Sequence, residues 1–142
     1  LMLIRVQEAP FDPWKEVDAY ISEKHDISGK YGGVVVFVGH MRDFNQGADV
    51  AEMTLEHYPG MTERHLEKIG QEAMHRWPLL DVLVIHRVGR LRPSEPIVLV
   101  AAWSAHRDDA FAGARFLIDE LKTRAPFWKK EQTGSGGRWV ET

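Results

Sequence analysis

Two lysines, Lys122 and Lys129, sit on either side of Pro126 in the stretch LKTRAPFWKKE (Leu121–Glu131), where four cationic side chains surround a proline and two large aromatics. Aromatic pairs favour burial, whereas an ammonium group is costly to desolvate. Two readings follow. The lysines could snorkel, with their stems covering Phe127 or Trp128 and their heads in water. Alternatively they could line a pocket, where a partly desolvated lysine beside a second cation has a lowered pKa and can serve as a base or nucleophile near neutrality.

A second candidate is SAHRDD, Ser104–Asp109. An apolar strand runs there into a helix start, where free backbone N–H groups favour an anion, and His106 and Arg107 would add charge-assisted and bidentate contacts to a phosphate. Asp108 and Asp109 fit equally well as helix-start residues that complement the dipole. A third is GHMRDFN, Gly39–Asn45, a polar segment after an apolar strand, with Arg42 as an anion ligand or a solvated side chain. His57, on the apolar face of an alternating strand, reads as a core histidine.

Other chemistries lack their signatures. The seven histidines show no zinc-type spacing, so no metal is expected. The glycine stretches YGG and GSGG match neither phosphate-loop nor dinucleotide patterns, and there is no G-x-S-x-G elbow. With no cysteine, the chain has neither a thiolate nucleophile nor a persulfide relay. A net charge of −3 offers no global field for nucleic acid.

The elements that must position these residues follow from periodicity. LMLIRVQ reads as a strand. FDPWKEVDAYISEKH reads as a helix capped by Asp12, with Trp14, Val17 and Ile21 on one face. VVVFVG (Val34–Gly39) reads as a strand buried on both faces. In VAEMTLEHY the alternation puts Ala51, Met53, Leu55 and His57 on one side. PGMTERHLEKIGQEAMHRWP reads as a helix on Met61, Leu66, Ile69, Ala73 and Trp77. LLDVLVIHRVGRL and PIVLVAAWSA read as a hairpin turning at RPSE. A helix over about Arg107–Arg124 presents Phe111, Ala114, Leu117, Ile118 and Leu121 until Pro126 ends it. FWKKEQT and RWVET close the chain as two strands, with Phe127 and Lys129 on one face and Trp128 and Lys130 on the other. At 142 residues, a single α+β domain over 1–142 is expected. No apolar run is long enough for a membrane span, and a soluble, cytoplasmic setting is expected.

The segments FVGHMRDFNQG, MTLEHYPGM, RWPLLDVLVIHRVG, SAHRDDAF and LKTRAPFWKKE…RWVE, in this order, closely resemble the large, catalytic subunit of molybdopterin synthase. The resemblance implies a hammerhead-type α+β fold with a mixed or antiparallel sheet and about three helices. It implies a homodimer flanked by two copies of a small ubiquitin-like subunit, a heterotetramer overall. The small subunit's Gly-Gly tail carries a thiocarboxylate that gives sulfur to cyclic pyranopterin monophosphate, forming the dithiolene of molybdopterin. By the same resemblance Lys122 and Lys129 are the active-site lysines. Arg42, His106, Arg107 and Arg138 line the pterin phosphate pocket with Phe37 beside it, and the pocket draws on the second large subunit. A sulfur-inserting enzyme without cysteine must then receive its sulfur from a partner. Three departures stand out: His40-Met41 replaces a basic residue followed by a Val-like one, Arg90 stands where an acidic residue is common, and the sequence closes at Thr142 where relatives often continue. Two rival readings are a scaffold that binds a Gly-Gly tail without chemistry and a phosphate- or RNA-binding module using Arg42, Arg107 and the Lys129/Lys130 patch.

Overall fold

The computed structural model describes residues 2–42, 44–45, 48–49, 52–133 and 136–140. Their order is β1 (Met2–Gln7), α1 (Pro13–Ser22), a 3-10 turn (His25–Ile27), β2 (Gly33–His40), β3 (Phe44–Asn45), β4 (Ala48–Asp49), β5 (Glu52–His57), α2 (Met61–Arg76), β6 (Leu79–Arg87), β7 (Gly89–Leu91), β8 (Pro96–Ser104), α3 (Arg107–Arg124), β9 (Phe127–Thr133) and β10 (Gly136–Val140). Three α-helices with one mixed and one antiparallel four-stranded sheet make this the expected α+β class.

The larger sheet has the order β1-β6-β8-β2, with β1 parallel to β6 and the other pairs antiparallel. Its central strands are buried on both faces, and the period of two divides them cleanly. Val82, Val84, Val100 and Ala102 join a core under α2 and α3, whereas Leu83, Ile85, Leu99, Ala101 and Trp103 join a second core on the α1 side. Within the second core Asp81, fully buried, accepts a 2.6 Å hydrogen bond from the Tyr20 hydroxyl and so ties α1 to β6.

The expected hairpin of β6 and β8 is present as an antiparallel pair, but its connection carries a further short strand. Gly89, at φ +86°, takes a left-handed conformation that side chains resist, and the chain after it leaves the larger sheet as β7. There it joins a smaller antiparallel sheet of order β10-β9-β5-β7. Arg90, one of the departures, pairs its guanidinium with Glu52 at 3.2 Å across β7 and β5, a diagonal neighbour of its register partner Thr54.

Three further expectations change. The run Val34–Gly39 lies in β2, an edge strand that is half-buried for most of its length and not enclosed on both faces. Trp14 (62% exposed) stands outside the α1 contact, which is made by Val17, Tyr20 and Ile21. Phe111, also 62% exposed, stands outside the α3 contact face, which Ala110, Gly113, Ala114, Leu117 and Leu121 form instead. A Cβ at Gly113 would meet the Leu79 methyl groups at 2.7 and 2.8 Å, so the Leu79 side chain would have to shift to admit one. The Asp12 cap of α1 is as expected, its carboxylate accepting from the Trp14 and Lys15 N–H groups. No helix among the described residues is long and apolar enough to cross a membrane.

Candidate active site

Helix α3 ends where the sequence says it must. Ala125 is extended (φ −76°, ψ 133°) ahead of Pro126, and the Phe127 N–H returns to the Ala125 carbonyl at 2.9 Å, so the chain reverses into β9 within two residues. This corner carries Lys122 on the last turn of α3 and Lys129 on β9 toward one cavity of about 570 Å³. Phe127, 6% exposed, anchors the corner in the core. Trp128 does not share that role: it lies on the outer face and meets the Tyr58 ring edge-on at 4.3 Å.

The opposite wall is the end of β2. Phe37 points to the α2/α3 side and lines the cavity with Gly39, His40, Met41 and Arg42. The backbone after β2 is fixed to the turn before β8, with the Met41 N–H on the Glu95 carbonyl at 2.9 Å and the Ser94 N–H on the Met41 carbonyl at 2.8 Å. His40 adds its Nδ1, which donates to the Ser94 carbonyl at 2.9 Å. The departure at His40-Met41 is thereby accommodated: His40 is exposed and ties down the turn, and Met41 is buried against the cavity. The floor is apolar and comes from Met53, Leu55, Val98, Val100 and Leu121.

Among the described residues, the charge lining this cavity has one sign. Arg42, Lys122 and Lys129 are three cationic side chains, and the described residues that line it include no carboxylate. Such a lining favours an anionic ligand, with apolar walls that strengthen each charge-assisted contact. Lys129 is half-buried while Lys122 is exposed, so the expected desolvation holds for the β9 lysine and not for the helical one.

Sequence reading missed His86, the most unusual member of the wall. It is buried, and its ring stacks on Phe127 with centroids 4.0 Å apart and planes at 17°. Its Nδ1 lies 2.8 Å from the Arg87 carbonyl. Burial pushes its pKa down to about 4, against that backbone hydrogen bond, and the nearby Lys129 and His57 charges lower it further. A signal was present: β6 alternation puts His86 in phase with Val82 and Val84, a polar residue in an apolar row.

His106 and Arg107 do not reach this cavity. They stand exposed at the start of α3, which places Arg107 about 22 Å of helix from Lys122 at 1.5 Å per residue. Ser104 shapes that end, donating to the Pro78 carbonyl at 3.0 Å and accepting from the His106 N–H at 3.4 Å. Arg138 lies on β10 in register with Glu131 of β9, and its side chain is outside the described residues. Among the described residues no group of three His, Cys, Asp or Glu side chains could hold a metal.

With this geometry in place, comparison with known proteins is decisive. The family model described as MoaE protein matches residues 6–124. The chain belongs to the MoaE family. The molybdopterin synthase catalytic subunit of Pseudomonas aeruginosa is 57% identical over 140 residues, covering 99% of this chain and 91% of that protein. The corresponding subunit of Escherichia coli is 56% identical over 110 residues, covering 78% and 73%. Among solved structures, the molybdopterin biosynthesis MoaE protein of Burkholderia ambifaria matches with TM-score 0.81 at 50% identity over 99% and 90% of the two chains. Molybdopterin synthase from Staphylococcus aureus matches with TM-score 0.84 at 32% identity over 96% of each. A Helicobacter pylori complex of subunits 1 and 2 of molybdopterin-converting factor shares the fold, with TM-score 0.79 at 18% identity. As a MoaE-family chain, this protein has the catalytic role in molybdopterin synthase and is an enzyme of molybdenum-cofactor biosynthesis.

Proposed function

We propose that the cavity between α3, β9 and the end of β2 is the sulfur-transfer site. The small subunit's Gly-Gly thiocarboxylate meets cyclic pyranopterin monophosphate there. The observation that carries this reading is the lining of Arg42, Lys122 and Lys129 without a carboxylate among the described residues. Both reactants are anions, one a thiocarboxylate and the other a phosphate ester. Each would be drawn to such a lining.

Arg42 holds the substrate phosphate by charge-assisted hydrogen bonds and leaves the reacting carbons near the incoming tail. Lys122 stabilises negative charge or carries a proton as the thiocarboxylate sulfur displaces an oxygen substituent from a side-chain carbon of the substrate, the C–O bond breaking as the C–S bond forms. It does the same as water then cleaves the resulting thioester, to leave the sulfur on the substrate and a carboxylate on the tail. Lys129 holds the tail or the substrate beside it. Two such rounds, each with a freshly charged small subunit, complete the dithiolene. Glycines at the tail terminus suit a narrow approach because they carry no side chain.

The exposed start of α3 belongs to the same reading. His106, Arg107 and the uncovered Phe111 stand at the end of the helix remote from Lys122, where they serve the cavity of a second copy. The working assembly is then a homodimer with two small subunits, in which the phosphate is gripped by Arg42 of one copy and by His106 and Arg107 of the other. Arg138 on β10 belongs with this phosphate group. The complex in the Helicobacter pylori structure supports a small-subunit partner. Residues 1–142 act as one domain in the cytoplasm, with no metal or cofactor of their own.

Reconstitution tests it. Purified chain, thiocarboxylated small subunit and cyclic pyranopterin monophosphate should give dithiolene product, and Lys122→Ala should give almost none while still binding the small subunit. Absence of product from the parent chain, with the partner bound, would leave a scaffold in place of the catalyst.

A further inference from the structure

Arg87 ends β6 as a buried cation, only 4% exposed, a setting that an arginine takes when its donors are held. Its Nε and Nη2 donate to the Glu8 carbonyl just after β1 at 3.2 and 3.0 Å, and Nη2 also donates to the Arg90 carbonyl in β7 at 3.2 Å. Nη1 makes no hydrogen bond among the described residues and lies 3.4 Å from Glu95 Oε2, its ion-pair partner. Desolvating a guanidinium offsets most of what such a pair gains, so stability alone does not account for it. What it supplies is a fixed geometry.

That geometry is passed on by the turn of residues 92–95. The Glu95 carboxylate accepts from the Arg92 N–H, and the Glu95 N–H returns to the Arg92 carbonyl at 3.1 Å, which closes the turn. Ser94 within it stands at φ +75°, a left-handed conformation that a side chain resists and that persists only where neighbours enforce it. The turn clamps both backbone groups of Met41: the Glu95 carbonyl accepts from its N–H at 2.9 Å, and the Ser94 N–H donates to its carbonyl at 2.8 Å. Just before this clamp, β2 shifts register between Gly39 and His40, an irregularity of the kind that re-aims the side chains after it. Arg42 is the next residue, and it lines the cavity, whereas Arg87 does not.

We propose that Arg87 is a positioning residue for Arg42, acting through Glu95 and the 92–95 turn. Arg87 holds the Glu95 carboxylate against β7 and the end of β1, Glu95 sets the turn, and the turn fixes the backbone from which the Arg42 guanidinium reaches the bound phosphate. The inference rests on Arg42 being the phosphate ligand. Its signature belongs to substrate binding and not to the chemical step, because Lys122 and Lys129 stand on other elements.

Glu95→Gln tests it, since it keeps the size and the Arg92 contact but turns an uncharged amide toward Arg87. In the reconstituted reaction it should raise KM for cyclic pyranopterin monophosphate about tenfold with kcat within about twofold, the size of one charge-assisted hydrogen bond. Arg87→Lys, which keeps the charge without the planar fork, should show the same defect, with urea unfolding confirming that both variants are folded. Arg42→Ala should raise KM at least as much. Adding Glu95→Gln to it should then change KM by less than about twofold, because a residue acting through Arg42 has nothing left to act on. Parental KM in either folded single variant, or losses that multiply in the double variant, overturn the positioning role. Parental KM in Arg42→Ala would instead remove Arg42 from the phosphate, refuting that reading of the site and the inference with it.

Discussion

The Thr62 hydroxyl donates to the Pro126 carbonyl at 3.3 Å and accepts from the Tyr58 N–H at 3.1 Å. One fully buried side chain thus fastens the start of α2 to the corner between α3 and β9. The segments LEHYPGMT and LKTRAPFWKK, far apart in sequence, are joined here. The same seam carries the His57–Phe127 register pair and the Tyr58–Trp128 contact. The spacing of Lys122 and Lys129 depends on it.

Thr62→Val conserves shape but leaves the Tyr58 N–H and the Pro126 carbonyl without this partner. It should destabilise the chain by about 1–3 kcal/mol, as for other buried groups left unsatisfied. Urea unfolding measures this, and Thr62→Ser should retain most of the stability. A Val variant as stable as the parent would mean that the seam is held by packing alone.

Lys122→Ala and Lys129→Ala should each reduce sulfur transfer by about 10²-fold or more, the range expected when a group that moves or stabilises charge is removed. Neither should lower the unfolding midpoint appreciably, since Lys122 is exposed and Lys129 only half-buried. Single-turnover product formation is the measurement. Full turnover with an unchanged pH profile in Lys129→Ala would end the division of labour proposed for the two lysines.

His86 makes stability depend on pH in a defined window. Its folded pKa of about 4 lies below the ordinary histidine value of 6.5, so between these pH values the unfolded chain binds the extra proton. Stability should therefore rise from about pH 4 to about pH 6.5 and then level off, with a contribution of order 3 kcal/mol at full effect. Urea titrations at several pH values in the parent and in His86→Phe give the comparison. The variant should lose this part of the slope, and an identical slope would assign it to other groups.

If each cavity takes its phosphate ligands from two copies, complementation follows from symmetry. Lys122→Ala and Arg107→Ala homodimers should both be nearly inactive. A mixed dimer has one doubly damaged site and one intact site, so random mixing should restore about a quarter of parental activity. Mixing purified variants under conditions of subunit exchange and assaying product tests this. No recovery, with exchange verified by mass, would place Arg107 outside the shared site.

Periodicity made much of this molecule legible, because it reports the phase of each element. The α3 boundaries, the Asp12 cap, the β5 alternation and the opposite faces of Phe127 and Trp128 all followed from it. Phase does not say what covers a face. Trp14 and Phe111 have the spacing of core residues yet lie in the open, and the apolar run of β2 ends a sheet instead of filling its centre. At the site, charge beside apolar neighbours made Lys122, Lys129 and Arg42 candidates but left snorkelling or solvated groups open, and only the family resemblance chose between these readings. His86 could be seen as a polar residue in the apolar row of β6, but its stacking on Phe127 depends on contacts between two sheets, which no local pattern encodes.

Helix α3 also acts as a ruler. Its 18 residues fix both the distance and the angular phase between the His106/Arg107 end and the Lys122 end. Inserting a single residue would lengthen it by about 1.5 Å and swing one end by about 100° relative to the other, turning Lys122 away from the cavity mouth. Restoring the phase takes about seven residues, which adds about 10 Å. Neither change can be absorbed locally, since Gly113 packs tightly against Leu79 midway and the Arg124 guanidinium is paired with Glu72 of α2 at 2.8 and 3.0 Å. Loops of this chain can drift in length, but this helix cannot gain or lose a residue without taking both ends out of alignment.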